Sequence, residues 1–356
     1  MSSPSASPRH SATPSPTPRA TPATTPTPSP NLPGAGGIQV PAGFTAYRYA
    51  GGLGTSTAMA FGPDGRLYVT NAAGSVAVVP SPGAAPQILA SGLPTTLGLV
   101  WRGTDLFISV RGGVRGFRLA GGGLSGGGAV VSGLPTGRHQ NDNPLLMPNG
   151  DFLLGVGSTC DVCTEADPRS AAVLRFRSDW SYAGVVVRGT RNPYGLALRH
   201  SSGDAYVTIN GQDNLGGQPA DHLLRVVDGE DAGWPRCWPS YPDATLHGNC
   251  SGVATPVAVF GPHTSSDGLA IYGASEFGPE FSGNAFVTQW GANVGGTAGR
   301  RIERVVFSGS GASERGQVTD FATGFSHPLA ITVAPDGGLL VGDYGTGQIV
   351  EIFRTG

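Results

Sequence analysis

The fold is decided by the stretch TAMAFGPDGRLYVTNAAGSVAVV, residues 57–79, in which a tight Pro-Asp-Gly turn joins two apolar strands and a third strand follows. Asp-Gly supplies the positive φ angles that such a turn requires. Five further copies of this module are LGLVWRGTDLFISVRGGVRGF (97–117), NPLLMPNGDFLLGVGS (143–158), YGLALRHSSGDAYVTING (194–211), LAIYGASEFGPEFSGNAFVTQWG (269–291) and LAITVAPDGGLLVGDYGTGQIVEIF (329–353). Repetition of one strand-turn-strand unit indicates a repeat architecture.

The spacing of the copies indicates which repeat this is. Their turns, at Asp64, Asp105, Asn149, Gly203, Gly283 and Asp336, lie 41, 44, 54, 80 and 53 residues apart. A four-stranded propeller blade takes about 40–50 residues, so we predict an all-β, six-bladed propeller with four-stranded blades. The segment FTAYRYA (44–50) is expected to complete the last sheet and close the ring. A β-sandwich, the rival architecture, does not explain the repeated turns.

Composition agrees with an all-β fold. Gly 58 and Pro 30 together make close to a quarter of the 356 residues, which excludes a helical bundle. No window shows a sustained period of 3.6, so helices are expected to be short and confined to insertions.

The charge of the chain argues against some partners. All 22 basic residues are arginine and the net charge is −2, so no basic field exists to hold nucleic acid or anionic lipid. No run of 18 apolar residues occurs, so no transmembrane segment is predicted.

The N-terminal region has a different character. Its first 33 residues hold 10 of the 30 prolines and two charges, Arg9 and Arg19. We therefore predict a disordered Ser/Thr/Pro-rich linker over 1–41 and one propeller domain over 42–356. Such tracts are typical of stalks that carry exported domains, with a membrane or cell-wall tether as one use. A tolerated disordered overhang is the alternative.

Four cysteines lie in the propeller. Proximity favours the pairs Cys160–Cys163 and Cys237–Cys250 among three possible pairings. A zinc site is the alternative, because CDVC has ligand spacing, although no second CxxC accompanies it. The stalk and the paired cysteines together predict an extracytoplasmic location, which is periplasmic, secreted or cell-surface.

Function is expected at the mouth of the ring, because inner strands converge on the axis and polar residues at their starts collect in one pocket. Four stretches are polar where the repeat is otherwise apolar: GRHQNDNP (137–144), GTRNPYG (189–195), NGQDNLGGQPADH (210–222) and GPHTSSDG (261–268). The longest interval between copies contains AGWPRCWPSYPDATLHGNC (232–250), which we interpret as a functional loop.

Three features of these stretches are suited to chemistry. His139, with a pKa near neutrality, can take a proton from an alcohol whose carbon loses hydride, although a lone loop histidine is more often structural. Arg191 requires a carboxylate partner, which is either a ligand or Asp142 or Asp213 of the chain itself. The run Gln212–Asn214 offers oxygen atoms of the kind that calcium favours, although such loops are also ordinary turns.

The chain resembles the soluble glucose/sorbosone dehydrogenase family in four stretches that occur in that family's order and spacing: GRHQNDNPLLMPNGDFLLGVGSTCDVC, GTRNPYGLAL, PADHLLRVVDGEDAGWP and PLAITVAPDGGLLVGDYGTGQIVEI. The family consists of quinoprotein sugar dehydrogenases, six-bladed propellers that carry pyrroloquinoline quinone and calcium. The resemblance covers roughly residues 42–354. Its most specific parts are the GRH, RNP, GS-C-C and GWP motifs. The Pro-Asp-Gly turns are less specific, because they occur in many propellers.

The resemblance implies oxidation of a sugar, aldose or sorbosone-like, with electrons passed to an external acceptor that the sequence does not identify. His139 matches the family's catalytic base, which would take the hydroxyl proton while hydride passes to the quinone. Arg191 and Asn192 match residues that hold the quinone. The calcium ligands are expected in the matching loop, at Gln212, Asp213 and Asn214. Further expected cofactor contacts are Gln140, Ser265, Trp290, Arg300 and Arg301.

The chain departs from the family pattern near the expected cofactor. The family often places a lysine there from the fifth blade, whereas this chain has no lysine and offers Arg300 or Arg301 instead. In the last blade, where some members supply arginines, this chain has His327 and Pro328. Cofactor affinity therefore depends on fewer cationic groups than is usual in the family.

Two other functions compete with the dehydrogenase hypothesis. A lactonase-like calcium propeller would hydrolyse sugar lactones, but its metal needs acidic ligands, whereas the inner strands here begin near His139, Arg191 and Ser265. A non-catalytic cell-surface propeller would bind glycan or protein, and the missing lysine and last-blade arginine favour it. Titration with quinone and calcium, together with a dye-linked assay over an aldose panel, separates the three.

Overall fold

A computed structural model shows a ring of six antiparallel sheets, and the structure describes residues 32–292 and 298–355. Most of the predicted linker 1–41, up to residue 31, lies outside the described residues. Residues 33–39 already contact the propeller, because Gly34 forms a β-bridge to Tyr47 and Gln39 forms one to Thr323. Across the described ranges, no helix combines the length and apolar character needed to cross a membrane.

The strands are short, as the spacing of the turns requires. Those that form the first three blades, with the strand that precedes them, are β1 (Phe44–Ala50), β2 (Ser56–Phe61), β3 (Leu67–Asn71), β4 (Ser75–Val79), β5 (Gln87–Ala90), β6 (Thr96–Arg102), β7 (Asp105–Val110), β8 (Gly113–Ala120), β9 (Gly123–Ser132), β10 (Asn141–Leu146), β11 (Phe152–Val156), β12 (Ala172–Phe176) and β13 (Tyr182–Arg188). The rest are β14 (Asn192–Arg199), β15 (Asp204–Asn210), β16 (Asp221–Arg225), β17 (Glu230–Asp231), β18 (Cys237–Pro239), β19 (Leu246–Gly248), β20 (Ala258–Phe260), β21 (Ser266–Ile271), β22 (Ala285–Gln289), β23 (Arg301–Ser308), β24 (Arg315–Thr323), β25 (Pro328–Val333), β26 (Leu339–Asp343) and β27 (Gln348–Arg354). Within the described residues, the helices are two 3₁₀ turns, Pro279–Phe281 and Gly311–Ser313, as the lack of helical periodicity predicted.

Each blade follows the chain from its inner to its outer strand. The sheets are β2-β3-β4-β5, β6-β7-β8-β9, β10-β11-β12-β13, β14-β15-β16-β20, β21-β22-β23-β24 and β25-β26-β27-β1. Five of the six predicted turn positions lie between the first and second strands of their blades, and the sixth, Asp105, is the first residue of β7. The fourth blade has the longest interval because β17 and the hairpin β18-β19 are inserted before its outer strand, and β17 extends the third sheet.

The ring closes as predicted. β1 pairs antiparallel with β27, with a register that runs from Phe44 opposite Arg354 to Ala50 opposite Ile349. The N-terminal strand thus supplies the outer strand of the last blade, which joins the two ends of the chain in one sheet. Closure of this kind leaves no long sheet edge at the junction. The prediction of six four-stranded blades is confirmed, and a β-sandwich is excluded.

The core is divided into six apolar clusters, and each lies between two neighbouring blades. The largest, between the fifth and sixth blades, packs Tyr272, Phe277, Phe286 and Phe321 with edge-to-face and stacked ring contacts. Because each sheet is covered on both faces, its strands are apolar on both sides. The apolar core of the propeller is therefore distributed over six interfaces between blades and is not concentrated at the axis.

Adjacent blades approach closely at one equivalent position of the second strand in blades two to five. A hydroxyl residue here bonds to the inner strand of the next blade: Ser109 to the carbonyl of Asn141, Thr208 to that of Asp267 and Thr288 to that of Leu329. At Gly155, the equivalent position of the third blade, a Cβ atom would overlap the carbonyl oxygen of Pro193. Small or hydroxyl side chains at this position hold the inner strands around the axis.

Both predicted disulfides are present. Cys160 is bonded to Cys163 and Cys237 to Cys250, and no free cysteine occurs among the described residues. The zinc alternative fails because both thiols of the CDVC loop are used in a disulfide. The second bridge closes the inserted hairpin of the fourth blade, because Cys237 lies in β18 and Cys250 follows the end of β19.

Candidate functional site

The inner strands surround a cavity of about 680 Å³ at one end of the axis, within the volume range of small-molecule sites. Its walls come from blades three, four and five and are formed by Arg138, His139, Arg191, Asn192, Asn210, Gly211, Asp213, Asp221, Pro262, His263, Ser265, Gly291, Ala292 and Ala298. All four polar stretches singled out in the sequence contribute to it. A second void of about 110 Å³ is lined by the inner strands of all six blades.

His139 is positioned by the end of the neighbouring strand. Its backbone N–H donates to the carbonyl of Ser158 at 3.0 Å, and the N–H of Arg138 donates to the carbonyl of Thr159 at 2.9 Å. The two segments approach so closely that a Cβ atom on Gly157 would overlap the Cβ of His139. This close approach explains the GS pair, in which glycine admits the histidine and serine contacts it.

A chain of hydrogen bonds sets the tautomer of His139. The Ser158 hydroxyl donates its one proton to the carbonyl of Cys160 at 2.6 Å. Its oxygen lies 3.0 Å from Nδ1 of His139 and must therefore accept from that atom. In neutral His139, Nδ1 thus carries the proton and Nε2 has a free lone pair. This is the form that a general base requires.

The environment keeps His139 neutral. Burial, followed by the charges of Arg191 and Arg138, lowers its pKa to about 3. The sequence predicted a pKa near neutrality, and the difference arises because burial and both arginines disfavour the imidazolium. An anionic ligand that pairs with these arginines would offset their charge and raise the pKa of His139.

Arg191 is buried at the cavity wall and holds two carboxylates. Its Nη2 atom lies 2.7 Å from Asp161 Oδ1 and 3.0 Å from Asp213 Oδ2. Of the two intramolecular partners considered from the sequence, Asp213 is the one observed and Asp142 is not; Asp161 was not anticipated. The Nε atom of Arg191 is buried and has no hydrogen-bond partner among the described residues.

Backbone strain is concentrated around the cavity. Among the described non-glycine residues, seven have positive φ, and three of these line the cavity: Arg191 (49°), His263 (56°) and Ser265 (51°). A fourth, Arg300 (57°), lies two residues after Ala298 of the cavity wall. Such conformations cost of order 1–3 kcal/mol each and are typical of ligand sites, where packing enforces them.

Two amide side chains of the fourth blade connect it to the fifth blade. Asn192 donates to Asn210 at 2.6 Å, and Asn210 donates to the carbonyl of Ser266 at 3.1 Å. Buried Asp221 accepts from the N–H groups of Gly211 and Ser266, and burial raises its pKa. These bonds hold the cavity floor, which is built from the starts of inner strands.

The predicted calcium loop contains three side chains in different settings. Gln212 is buried, and its Oε1 atom has no partner within the described residues. Asp213 bonds to Arg138 and Arg191, and its backbone N–H donates to Asp161. Asn214 is exposed.

The remaining predicted cofactor contacts are not all brought to the cavity. Ser265 lines it and donates to Asp267 at 3.0 Å, and Arg300 lies behind its wall with a buried, unpartnered Nε. Gln140 is half-buried and bonds to the carbonyl of Thr95. Trp290 stacks on His327, and Arg301 forms salt bridges with Glu303 and Asp320 outside the cavity lining.

Several residues of the site were not singled out from the sequence. Arg138, Asn210 and His263 lie within the quoted polar stretches, and their position beside inner strands was the available signal. Asp161 lies inside the CDVC loop, and no pattern in the sequence of this loop points to a partner for its carboxylate. Ser158 belongs to the GS pair of the resemblance, but its bond to His139 follows only from the fold.

Fold and site together define a six-bladed propeller with a polar cavity at its axis. Solved structures of this kind include the holo pyranose dehydrogenase PQQ domain of Coprinopsis cinerea, with TM-score 0.77, 16% identity and coverage of 91% of this chain and 99% of that chain. The putative oxidoreductase (glucose dehydrogenase) of Thermus thermophilus has TM-score 0.71, 20% identity and coverage of 87% and 100%. The PQQ-bound aldose sugar dehydrogenase of Streptomyces coelicolor has TM-score 0.68, 19% identity and coverage of 91% and 99%. At these identities the likeness shows the shared fold.

A family model also matches the sequence. The model described as Glucose / Sorbosone dehydrogenase matches residues 176–350, just under half of the chain. The predicted family and enzyme class, a sugar dehydrogenase, are confirmed by this match. No curated protein matches the chain.

Proposed function

We propose that this protein oxidises a sugar with pyrroloquinoline quinone and calcium and passes the electrons to an external acceptor. The observation that supports this most directly is the pair His139 and Arg191 in one cavity. His139 has its Nε2 lone pair free, and Arg191 offers a buried cationic donor. A base for a hydroxyl proton and a cation for an anionic cofactor are the two groups that the reaction needs from the protein.

The residues present are suited to a carboxylated quinone. The buried Nε of Arg191 is a donor without a partner in the described part of the chain, and a ligand oxygen would satisfy it. Arg138 and His263 add donors on the same wall, and Asn192 with Asn210 adds amides. The cavity volume of about 680 Å³ accommodates such a ligand together with a sugar.

Calcium would be held by oxygen atoms of the loop Gln212–Asn214. The unpartnered Oε1 of Gln212 is an orphaned buried acceptor of the kind a cation would satisfy. The charges support a divalent cation as well. Asp161 and Asp213 already balance Arg138 and Arg191, so a carboxylated ligand would bring an excess of negative charge. The chain supplies no lysine to offset that excess.

The chain's own groups would divide the proton chemistry as follows. His139 Nε2 would accept the proton of the sugar hydroxyl, while Ser158 holds the ring in place through Nδ1. Arg191 would orient the anionic cofactor and stabilise negative charge that develops there. When bound, the quinone would accept hydride from the sugar carbon, with calcium polarising it. Gln140, Ser265, Trp290, Arg300 and Arg301 remain proposed cofactor contacts, of which Ser265 lies in the cavity wall.

We place the protein outside the cytoplasm, in the periplasm, in the medium or at the cell surface. Its two disulfides support this location, because such bonds persist in oxidising compartments. The Ser/Thr/Pro-rich N-terminus would serve as a stalk or tether.

The test of the proposed function uses purified protein with quinone and calcium. Quinone binding is read by absorbance titration, and turnover is read by dye reduction over an aldose panel.

Two variants separate catalysis from cofactor binding. His139→Ala should retain quinone affinity and lose roughly 10²–10⁴-fold in turnover, the usual contribution of a general base. Arg191→Ala should lose about 1.5–3 kcal/mol of quinone affinity, the value of a charge-assisted hydrogen bond. Thermal melts establish that both variants fold. If the wild type neither binds quinone nor reduces dye, the non-catalytic propeller becomes the better account.

A further inference from the structure

The carboxylate of Asp213 is surrounded by three basic side chains of the cavity. Its Oδ2 atom lies 2.5 Å from Arg138 Nη2 and 3.0 Å from Arg191 Nη2, and its Oδ1 atom lies 3.4 Å from His263 Nδ1. These three side chains all line the main cavity. An anion from the chain itself therefore occupies the place where basic groups of the site converge.

The second carboxylate on Arg191 is held quite differently. Asp161 accepts from the N–H of Asp213, its own carbonyl accepts from Trp234 Nε1, and it lies between the two cysteines of a disulfide. These contacts hold Asp161 in place beside Arg191.

In Asp213, in contrast, the carboxylate is the part that can turn away, because the backbone N–H is bonded to Asp161. The side chain of Asp213 is 43% exposed, and the residue begins an exposed stretch that includes Asn214 and residues 216–218. Apart from the bonds of Asp213 itself, the hydrogen bonds described for this stretch are that from the N–H of Gln218 to the carbonyl of Leu215 and the contact of the Gly216 carbonyl with His263. Segments with few buried contacts and exposed backbone open at low free-energy cost.

A ligand carboxylate that approaches these arginines meets groups that are already paired. Arg191 Nε has no partner among the described residues, but Nη2 contacts two carboxylates, so a ligand carboxylate can pair with Nη2 only if one of them leaves. A partly exposed ion pair contributes little net free energy, because water solvates the separated charges, so Asp213 is the one that can leave. Exchange of one carboxylate for another also preserves the charge balance of the buried guanidinium.

We propose that Asp213 is an exchangeable internal anion, which occupies the position of a cofactor carboxylate on Arg138 and Arg191 and is displaced when the cofactor binds. This inference rests on the proposed function. It implies that neutral sugars do not displace Asp213, so the arginines stay paired until an anionic ligand arrives. It also implies that the displaced carboxylate becomes available to a cation, which would couple quinone binding to calcium binding.

The test is a fluorescence and absorbance titration of wild-type protein and Asp213→Asn with pyrroloquinoline quinone, once in EDTA and once in calcium. In EDTA we expect Asp213→Asn to bind the quinone at least roughly 10-fold more tightly, because no internal carboxylate competes. In calcium the gain should shrink, because the freed Asp213 of the wild type then helps to hold the cation. Equal or weaker binding by Asp213→Asn in EDTA would overturn the inference.

Asp228→Asn is the matched control for the loss of one negative charge. Asp228 pairs with Arg175 and is 62% exposed, outside the cavity lining, so its removal should leave quinone affinity in EDTA within about 2-fold of the wild-type value. An equal gain in Asp228→Asn would show a general charge effect and contradict the exchange.

The titration also separates the exchange from the proposed function. If neither the wild type nor Asp213→Asn binds quinone in either buffer, the proposed function itself is overturned. If the wild type binds quinone and Asp213→Asn shows no gain in affinity, the exchange alone is overturned. Thermal melts of all three proteins confirm folding.

Discussion

The hydroxyl oxygen of Ser158 lies 3.0 Å from Nδ1 of His139 and accepts a hydrogen bond from its N–H group. The serine hydroxyl is itself committed to the carbonyl of Cys160. Two consecutive hydrogen bonds thus set the tautomer of His139, the proposed general base. The orientation of its ring depends on Ser158, which does not line the cavity. A hydrogen-bond partner of a histidine sets the tautomer and the orientation of its ring, and both affect the reactivity of the ring.

Ser158→Ala should lower turnover by roughly 10–100-fold, because His139 then loses the bond that sets its tautomer. Quinone affinity should change little, since Ser158 does not line the cavity. Steady-state kinetics and quinone titration check both statements. Ser158→Thr keeps a hydroxyl and should recover part of the rate. Full activity of Ser158→Ala would contradict the tautomer argument.

The Cys160–Cys163 bridge should matter more for binding than for stability. The loop it closes is short, so its loss should cost about 2 kcal/mol of unfolding free energy, against about 3 kcal/mol for Cys237–Cys250. Asp161 lies inside the first loop and holds Arg191. The double serine variant at 160 and 163 should therefore lose quinone affinity, while that at 237 and 250 should melt earlier with affinity retained. Denaturant unfolding and quinone titration compare the two, and an identical quinone affinity in both variants would refute this role for Asp161.

The folded protein should be less stable at alkaline pH because of Asp267. Burial raises the pKa of Asp267 to about 8, from the usual 3.8. Between these values the folded state retains a proton that the unfolded state has lost, so stability decreases as pH rises through this window. Melting temperatures should be higher at pH 6 than at pH 9. Asp267→Asn should reduce that difference, and an unchanged pH profile in the variant would show that other groups cause it. Glu351, with a pKa raised by burial to about 8, contributes in the same direction.

Gly155→Ala should destabilise the propeller by about 1–3 kcal/mol, the usual cost of overpacking. The added Cβ atom would overlap the carbonyl oxygen of Pro193, on the inner strand of the next blade. Gly128→Ala is the control, because a Cβ atom there meets no heavy atom within 4 Å. Denaturant unfolding should separate the two variants, and equal stabilities would show that the contact between the blades is not tight.

The number of blades and the closure of the ring were accessible from local patterns. Asp-Gly or Asn-Gly turns with short flanking strands recur because the backbone conformation of a tight turn depends on the residues in it. The pairing of β1 with β27 could be anticipated since an unpaired strand edge is unfavourable and one strand was left over. The disulfides followed from proximity along the chain, which makes local pairing the most probable one.

The sequence by itself determined the fold, the disulfides and the polar segments that meet at the axis, because each of these depends on short stretches of chain. Only the tertiary structure decided how the polar groups are paired. Arg191 meets Asp161 from 30 residues away, and Arg138 meets Asp213 from 75 residues away. Such contacts arise when the ring closes and brings the ends of different blades together. The low pKa of His139 has the same origin, because burial and the nearby arginines exist only once the cavity has formed.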